Sequence, residues 1–222
     1  MFEIISSYSF LPAVEILLIV CAYFLVVLFS LTIHEFAHAF AAYKFGDDTA
    51  KLAGRLTLNP FKHLDLWGSV CLLLVGFGWA KPVPINPLKF RQYKKGMFWV
   101  SSAGIITNFV LGIIFSVAAY LLQFVCAHNY FLLFLYFFFA FGCSLNFALA
   151  IFNLLPLYPL DGFNMISAYA KYDNKFVNFM HKYGQLIMLI LIISSAFSYI
   201  LTYSVGYLTL GLDKLWDIIF GM

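Results

Sequence analysis

Charge is what this chain has least of. Asp, Glu, Lys and Arg make up 10% of its 222 residues, against about a quarter in soluble domains. So few charges cannot coat a water-soluble protein of this size, and no stretch is polar enough to form a separate soluble module. Cysteine is scarce too. Cys21, Cys71, Cys126 and Cys143 lie scattered in apolar sequence without C-x-x-C spacing, which argues against disulfides or thiolate metal ligands and for small buried hydrophobes. The net charge of +3 is too small to point to nucleic acid. No basic residue precedes the first apolar run, where Glu3 stands instead. A cleaved signal peptide has a basic n-region, so none is expected.

Apolar residues are what is abundant, at 64%, with aromatics at 20% and a mean hydropathy of +0.93. The expected class is an all-α membrane protein: one domain over residues 1–222, a polytopic helical bundle of about five to six transmembrane segments. The aromatics suit interfacial belts and packing between helices. The first apolar segment runs from about Pro12 to Tyr43, about 48 Å of helix at 1.5 Å per residue. Pro12 suits a helix start, and Gly46 suits a C-terminal stop. A second segment, Leu66 to Ala80, has only fifteen residues, three of them glycine, and is short for a span. Met97 to Phe124 and Phe131 to Leu155 have spanning length, joined by the tight turn Ala127-His128-Asn129-Tyr130. A fifth runs from about Gly184 to Tyr203. The stretch Val205 to Phe220, with Asp213, Lys214 and Asp217, fits either a short span or an interfacial helix.

Lysine and arginine in short loops set orientation. They occur at 44, 51, 55 and 62, at 81, 89, 91, 94 and 95, and at 171, 175 and 182; the turn at 127–130 has none. All three basic loops share the cytoplasmic side if the 66–80 segment is re-entrant. A true second span would put one of them outside.

Within the first apolar segment stands His34-Glu35-Phe-Ala-His38. Ionisable groups at membrane depth are costly and mark function. Histidines at i and i+4 share a helix face and can reach one metal ion, and H-E-x-x-H on a helix is a zinc-protease signature. The intervening Glu35 is placed to act as a general base. His38 precedes Lys44 by six residues, about 9 Å, so the site lies in the membrane toward the Lys44 side.

A catalytic zinc takes three protein ligands. The best carboxylate near an apolar helix end on that side is Asp161, after Pro156 and Pro159, which must break the preceding helix. Asp47, Asp48, His63, Asp65, Asp173 and His181 are rivals in more polar loops. Asn153 lies two turns before Asp161; its amide either bonds neighbouring backbone or donates to an oxyanion. Asn108 and Asn146 carry the same ambiguity, with helix packing favoured.

His34-Glu35-Phe-Ala-His38 and Asn153-x-x-Pro156-x-x-Pro159-Leu160-Asp161-Gly162 together resemble the site-2 protease family of intramembrane zinc metalloproteases. Residues 46–50, 54–65 and 76–87 resemble its minimal prokaryotic branch, without PDZ or CBS domain. The resemblance spans about residues 20 to 165. It implies a catalytic core at about 12–165, with C-terminal helices at about 184–222. It implies one Zn2+ per chain on His34, His38 and Asp161, with Glu35 as acid/base and Asn153 assisting the oxyanion. It further implies a membrane-spanning protein substrate and a place in the cell (inner) membrane with the active site toward the cytoplasm. Two departures concern local backbone: Ile105 stands where the family has proline after Ala103-Gly104, and Phe163 where it has a second glycine after Leu160-Asp161-Gly162. A zinc transporter or a catalytically silent metal-binding scaffold is the alternative. A transporter needs polar groups along a whole pathway, yet no ionisable residue falls between 97 and 124 or between 184 and 203. Lys81-Pro-Val-Pro84 is either a stiff connection or an extended edge that holds an unwound substrate.

Overall fold

Proline and asparagine punctuate a chain that is otherwise helical. The computed structural model describes residues 12–65, 68, 81–126 and 129–221. Among them are seven α-helices and no extended strand. Helix α1, Ala13–Lys44, starts on Pro12, whose carbonyl accepts from the Glu15 and Ile16 N–H groups. It stops at Gly46, which takes φ +106°, and the following Asp47 N–H closes back on Ala42 O at 2.9 Å. Helix α2, Thr49–Leu52, is a single turn. Helix α3 is Tyr93–Leu122. Helix α4, Tyr130–Leu154, is capped by the Asn129 side chain, which accepts from Phe131 and Leu132 N–H, replacing bonds that the first turn lacks. Pro156 and Pro159 then hold the chain out of helix until α5, Asp161–Ser167. Helix α6, Lys175–Ile193, is capped by Asn174, and α7, Ser195–Phe220, by Ser194.

Among the described residues, four helices are long and apolar enough to cross a membrane: α1, α3, α4 and α6. The three segments expected at 12–43, 97–124 and 131–155 are present within a few residues. The C-terminal division differs. The segment expected at 184–203 is cut at Ser194, whose extended backbone ends α6 and whose hydroxyl accepts from Phe197 N–H. The stretch expected at 205–220 is the second half of α7. Hydropathy averages over a serine; a capping hydroxyl does not. Apart from Gly68, the segment expected to re-enter at 66–80 lies outside the described residues, as do residues 127 and 128 of the turn.

Helices α1, α3 and α4 pack together through Val26, Phe115, Cys143 and Phe147. Asn146 Nδ2 donates to Ser30 Oγ at 2.8 Å, so this asparagine ties α4 to α1. Shape fit and such hydrogen bonds hold helices together where lipid removes the hydrophobic drive. Helix α7 lies along α4 and α3. Its Phe197 meets Phe152 near the end of α4, with centroids 5.9 Å apart. Its Trp216 indole donates to Ser116 Oγ at 3.2 Å, and Tyr120 OH donates to Asp217 Oδ1 at 2.5 Å, near the end of α3.

The connection into α3 runs without secondary structure over residues 81–86 and is anchored by hydrogen bonds to its backbone. Lys81 N–H donates to His63 O at 2.8 Å and Arg91 N–H to Phe45 O at 3.0 Å. Asn86 N–H donates to Asp47 Oδ2 at 2.6 Å, and the Arg55 guanidinium donates to Lys81 O. Val83 thereby packs against Ala39 and Ala50, beside the histidines of α1.

Candidate metal centre and active site

Helical spacing brings His34 and His38 together as expected: their ring centroids are 4.6 Å apart and their Nε2 atoms 3.0 Å apart. The unwound chain after α4 turns back and starts α5 with Asp161, which places Oδ2 3.4 Å from His34 Nε2 and 3.2 Å from His38 Nε2. Both histidines are buried. Asp161 Oδ2 is buried as well and makes no hydrogen bond. A buried carboxylate oxygen without a hydrogen bond is costly. The three atoms suit one ion: metal bonds of about 2.0–2.1 Å at tetrahedral angles give ligand edges of about 3.4 Å. Among the described residues, this is the one group of three metal-binding side chains that converges within 4.8 Å.

The outward nitrogens of the two rings are also engaged. His38 Nδ1 lies 2.7 Å from Val100 O, which can only accept. His38 Nδ1 therefore carries the proton, and Nε2 presents a lone pair to the centre. His34 Nδ1 meets the side-chain amide of Asn108 at 3.1 Å. Helix α3 comes this close because residue 104 is glycine. A Cβ there would meet His34 Cε1 and His38 Nε2 at 2.5 Å.

Glu35 Oε2 accepts from the Val83 N–H at 2.9 Å. Pro82 and Pro84 flank Val83 and have no N–H to give, so the single amide of that tripeptide is committed to Glu35. Asn153 faces the same cavity of about 300 Å³, together with His34, Glu35, His38, Val83 and Asp161. Its Nδ2 donates to Leu149 O at 3.0 Å, the local backbone bond that a helical asparagine commonly makes.

The rival residues stand elsewhere, each with its own work. Asp47 binds Thr49 N–H and Asn86 N–H; Asp48 pairs with Lys89 at 2.5 Å. His63 Nε2 donates to Thr57 O at 2.8 Å. Asp65 accepts from Gly68 N–H, Asp173 from the Asn178 amide, and His181 packs against the rings of Tyr158 and Phe163. Sequence reasoning missed four supports of the site: Val83 N–H, Val100 O, Gly104 and the placement of Asn108 on His34 rather than in plain helix packing. Gly104 and Asn108 had a signal, four residues apart and so on one face of their helix. The backbone groups of Val83 and Val100 had none, because main-chain donors and acceptors look alike in every sequence.

The sequence model of Peptidase family M50 matches residues 125–195, a stretch with Asn153 and Asp161 but without the two histidines. YwhC of Bacillus subtilis (strain 168), named as a candidate zinc metalloprotease, is 41% identical over 178 residues, covering 78% of this chain and 80% of that protein. Rip2 of Mycolicibacterium smegmatis, similarly named, is 39% identical over 95 residues, 39% of this chain and 35% of the relative. Rip2 of Mycobacterium tuberculosis (strain H37Rv) is 32% identical over 142 residues, 61% of this chain and 52% of the relative. No solved structure matches the chain. With two histidines, an aspartate and a glutamate gathered among apolar helices, and with a relative aligned over four fifths of its length, the chain belongs to peptidase family M50, the site-2 protease family of membrane metalloproteases.

Proposed function

We propose that this chain is an intramembrane zinc metalloprotease that cuts peptide bonds within or near the transmembrane helices of other membrane proteins. The observation that carries the reading is the meeting of His34, His38 and Asp161, from opposite ends of the catalytic core, beside Glu35 in one cavity. His34 Nε2, His38 Nε2 and Asp161 Oδ2 would hold one zinc per chain. When bound, zinc supplies a Lewis acid that brings the pKa of a water close to neutral. Glu35 accepts a proton from the attacking water as its oxygen bonds to the peptide carbonyl carbon. As the C–N bond breaks, Glu35 returns that proton to the leaving nitrogen. The Val83 N–H holds the Glu35 carboxylate in place for both transfers. Asn153 Nδ2 gives one of its two N–H groups to Leu149 O, and the second is the one that would donate to the oxyanion. A substrate helix ties its carbonyls into i→i−4 bonds, so it unwinds locally before attack. Pro82, Val83 and Ile85 line one wall of the cavity, along which an unwound chain can lie. The lysines and arginines of the short loops support a centre toward the cytoplasmic side of the cell (inner) membrane.

The test is cleavage of a single-span substrate by the purified protein in vesicles, before and after zinc is stripped with a chelator and restored. Cleavage lost on stripping and regained with zinc is expected. Equal cleavage without metal sinks the reading.

Asn108 bears on the same centre. With its Nδ2 on His34 Nδ1, the Asn108 Oδ1 is buried without a partner. Turning the amide by 180° places Oδ1 to accept from His34 Nδ1–H, satisfies that oxygen and frees Nε2 for metal. Asn108→Asp keeps an acceptor and should hold zinc as the parent does. Asn108→Leu should lose about 10–100-fold in zinc affinity, the range for removing such a support. Chelator competition decides it: equal losses in both variants would mean that Asn108 does not orient His34 as an acceptor. Gly104→Ala should act more bluntly, because its methyl needs the space the two imidazoles occupy. Elemental analysis should show a severalfold fall in zinc per chain; full occupancy would mean that α3 yields instead.

A further inference from the structure

Helix α6 passes the length and hydropathy test for a span, and α7 does not, but the contacts at their ends point the other way. The end of the bundle where α1 stops, α3 starts and α4 stops carries the basic loops. Tyr169 meets Phe98 edge to face, near the start of α3, with centroids 6.0 Å apart. Lys175 follows six residues later. Six residues reach at most about 20 Å, short of the ~30 Å hydrocarbon core. Helix α6 therefore begins on the basic face. It also ends there: Ser194 is three residues from Phe197, which rests on Phe152 near the end of α4. Helix α7 starts at that level and reaches Ser116 and Tyr120 near the far end of α3. Its 26 residues give about 39 Å, enough to cross. Asp213, Lys214 and Asp217 ride at its far end, where Tyr120 takes Asp217.

We propose that α7 is the spanning helix and that α6 lies in the membrane surface of the basic face, bound to its phospholipid headgroup layer. Gly184 seats α6 on Tyr158, whose backbone and Cβ would lie 2.9–3.2 Å from an added Cβ, and His181 packs against the rings of Tyr158 (tilted) and Phe163 (edge to face). The opposite face is exposed. At 100° per residue, Lys175, Asn178, Lys182 and Gln185 line one flank of it over the first half of the helix, and Leu189 and Ile193 continue that flank. Phe176, Phe179, Tyr183 and Ile190 line the other. The polar residues suit headgroups and the apolar ones acyl chains. Lys171, Lys175 and Lys182 complement anionic lipid phosphates. The turn under α6 is the one that delivers Asp161, so the metal centre is roofed on that side by a helix held in the headgroup layer. The depths of α6 and α7 do not depend on the chemistry proposed above.

The unaltered protein allows the first measurement. A membrane-impermeant amine reagent, applied to either face of sealed vesicles, should acylate Lys171, Lys175 and Lys182 together with Lys44, Lys62 and Lys89. It should reach Lys214 from the opposite face. Lys214 reacting with the others, or Lys175 apart from Lys44, overturns the proposal. Nitroxides on single cysteines then read depth. Those at positions 179 and 190 should collide with oxygen dissolved in the bilayer, and those at 178 and 185 with a water-soluble nickel complex. Equal access of all four to nickel would mean that α6 stands off in water. Shielding of all four from both would mean that a second copy covers it. Either result overturns the headgroup assignment.

Discussion

Glu35→Gln should lose at least the 10²–10⁴-fold that removal of a general acid/base costs, while its zinc content and helicity stay at the parent's values. The substitution keeps the size of the side chain and an oxygen for the Val83 N–H, which donates to Glu35 at 2.9 Å. It removes only the ability to take a proton. Glu35 is also no member of the converging ligand set, so metal retention separates loss of chemistry from loss of the site. Cleavage of a single-span substrate that survives in the variant defeats the mechanism. A wild type that cleaves nothing but moves zinc into proteoliposomes makes the chain a transporter. A wild type that does neither is a silent scaffold.

The second large effect is on metal. Asp161→Ala should lower bound zinc by more than the 10–100-fold typical of removing a mere support of a ligand. It deletes the one carboxylate oxygen that reaches both imidazoles, at 3.4 and 3.2 Å. His34→Ala and His38→Ala should match it. Asp161→Ala sets the relief of a buried oxygen without a hydrogen bond against the loss of its ion pairs with the two imidazoles, so the metal-free variant should unfold close to the temperature of the metal-free parent. Thermal unfolding after zinc removal measures that comparison, and elemental analysis measures zinc. Full zinc in Asp161→Ala would hand the third position to a loop carboxylate such as Asp47 or Asp65. That outcome has to explain how Asp47 leaves Thr49 and Asn86, whose N–H groups it binds.

Much of the site was legible because its parts are local. His34 and His38 share a face by helical geometry alone, and Pro156 and Pro159 must stop a helix wherever it lies. Asp161 was readable only by elimination, since nothing in a Pro-Leu-Asp-Gly turn says where in space it returns. The C-terminal helices were misdivided for a related reason. Phe197 against Phe152 and Tyr120 with Asp217 are pairings between residues far apart in the chain, and a hydropathy average contains neither.

By itself the sequence determined the membrane class, the helix starts and stops written in proline, glycine and asparagine, and the donor atoms available for metal. All of these follow from the chemistry of single residues and their near neighbours. Only the tertiary structure decided which atoms meet: Asp161 Oδ2 with two imidazoles, Val83 N–H with Glu35, Val100 O with His38, and the backbone of α3 at Gly104 against both rings. These contacts depend on how helices α1, α3 and α5 pack. That packing rests on the shape of many side chains at once, and no local pattern encodes it.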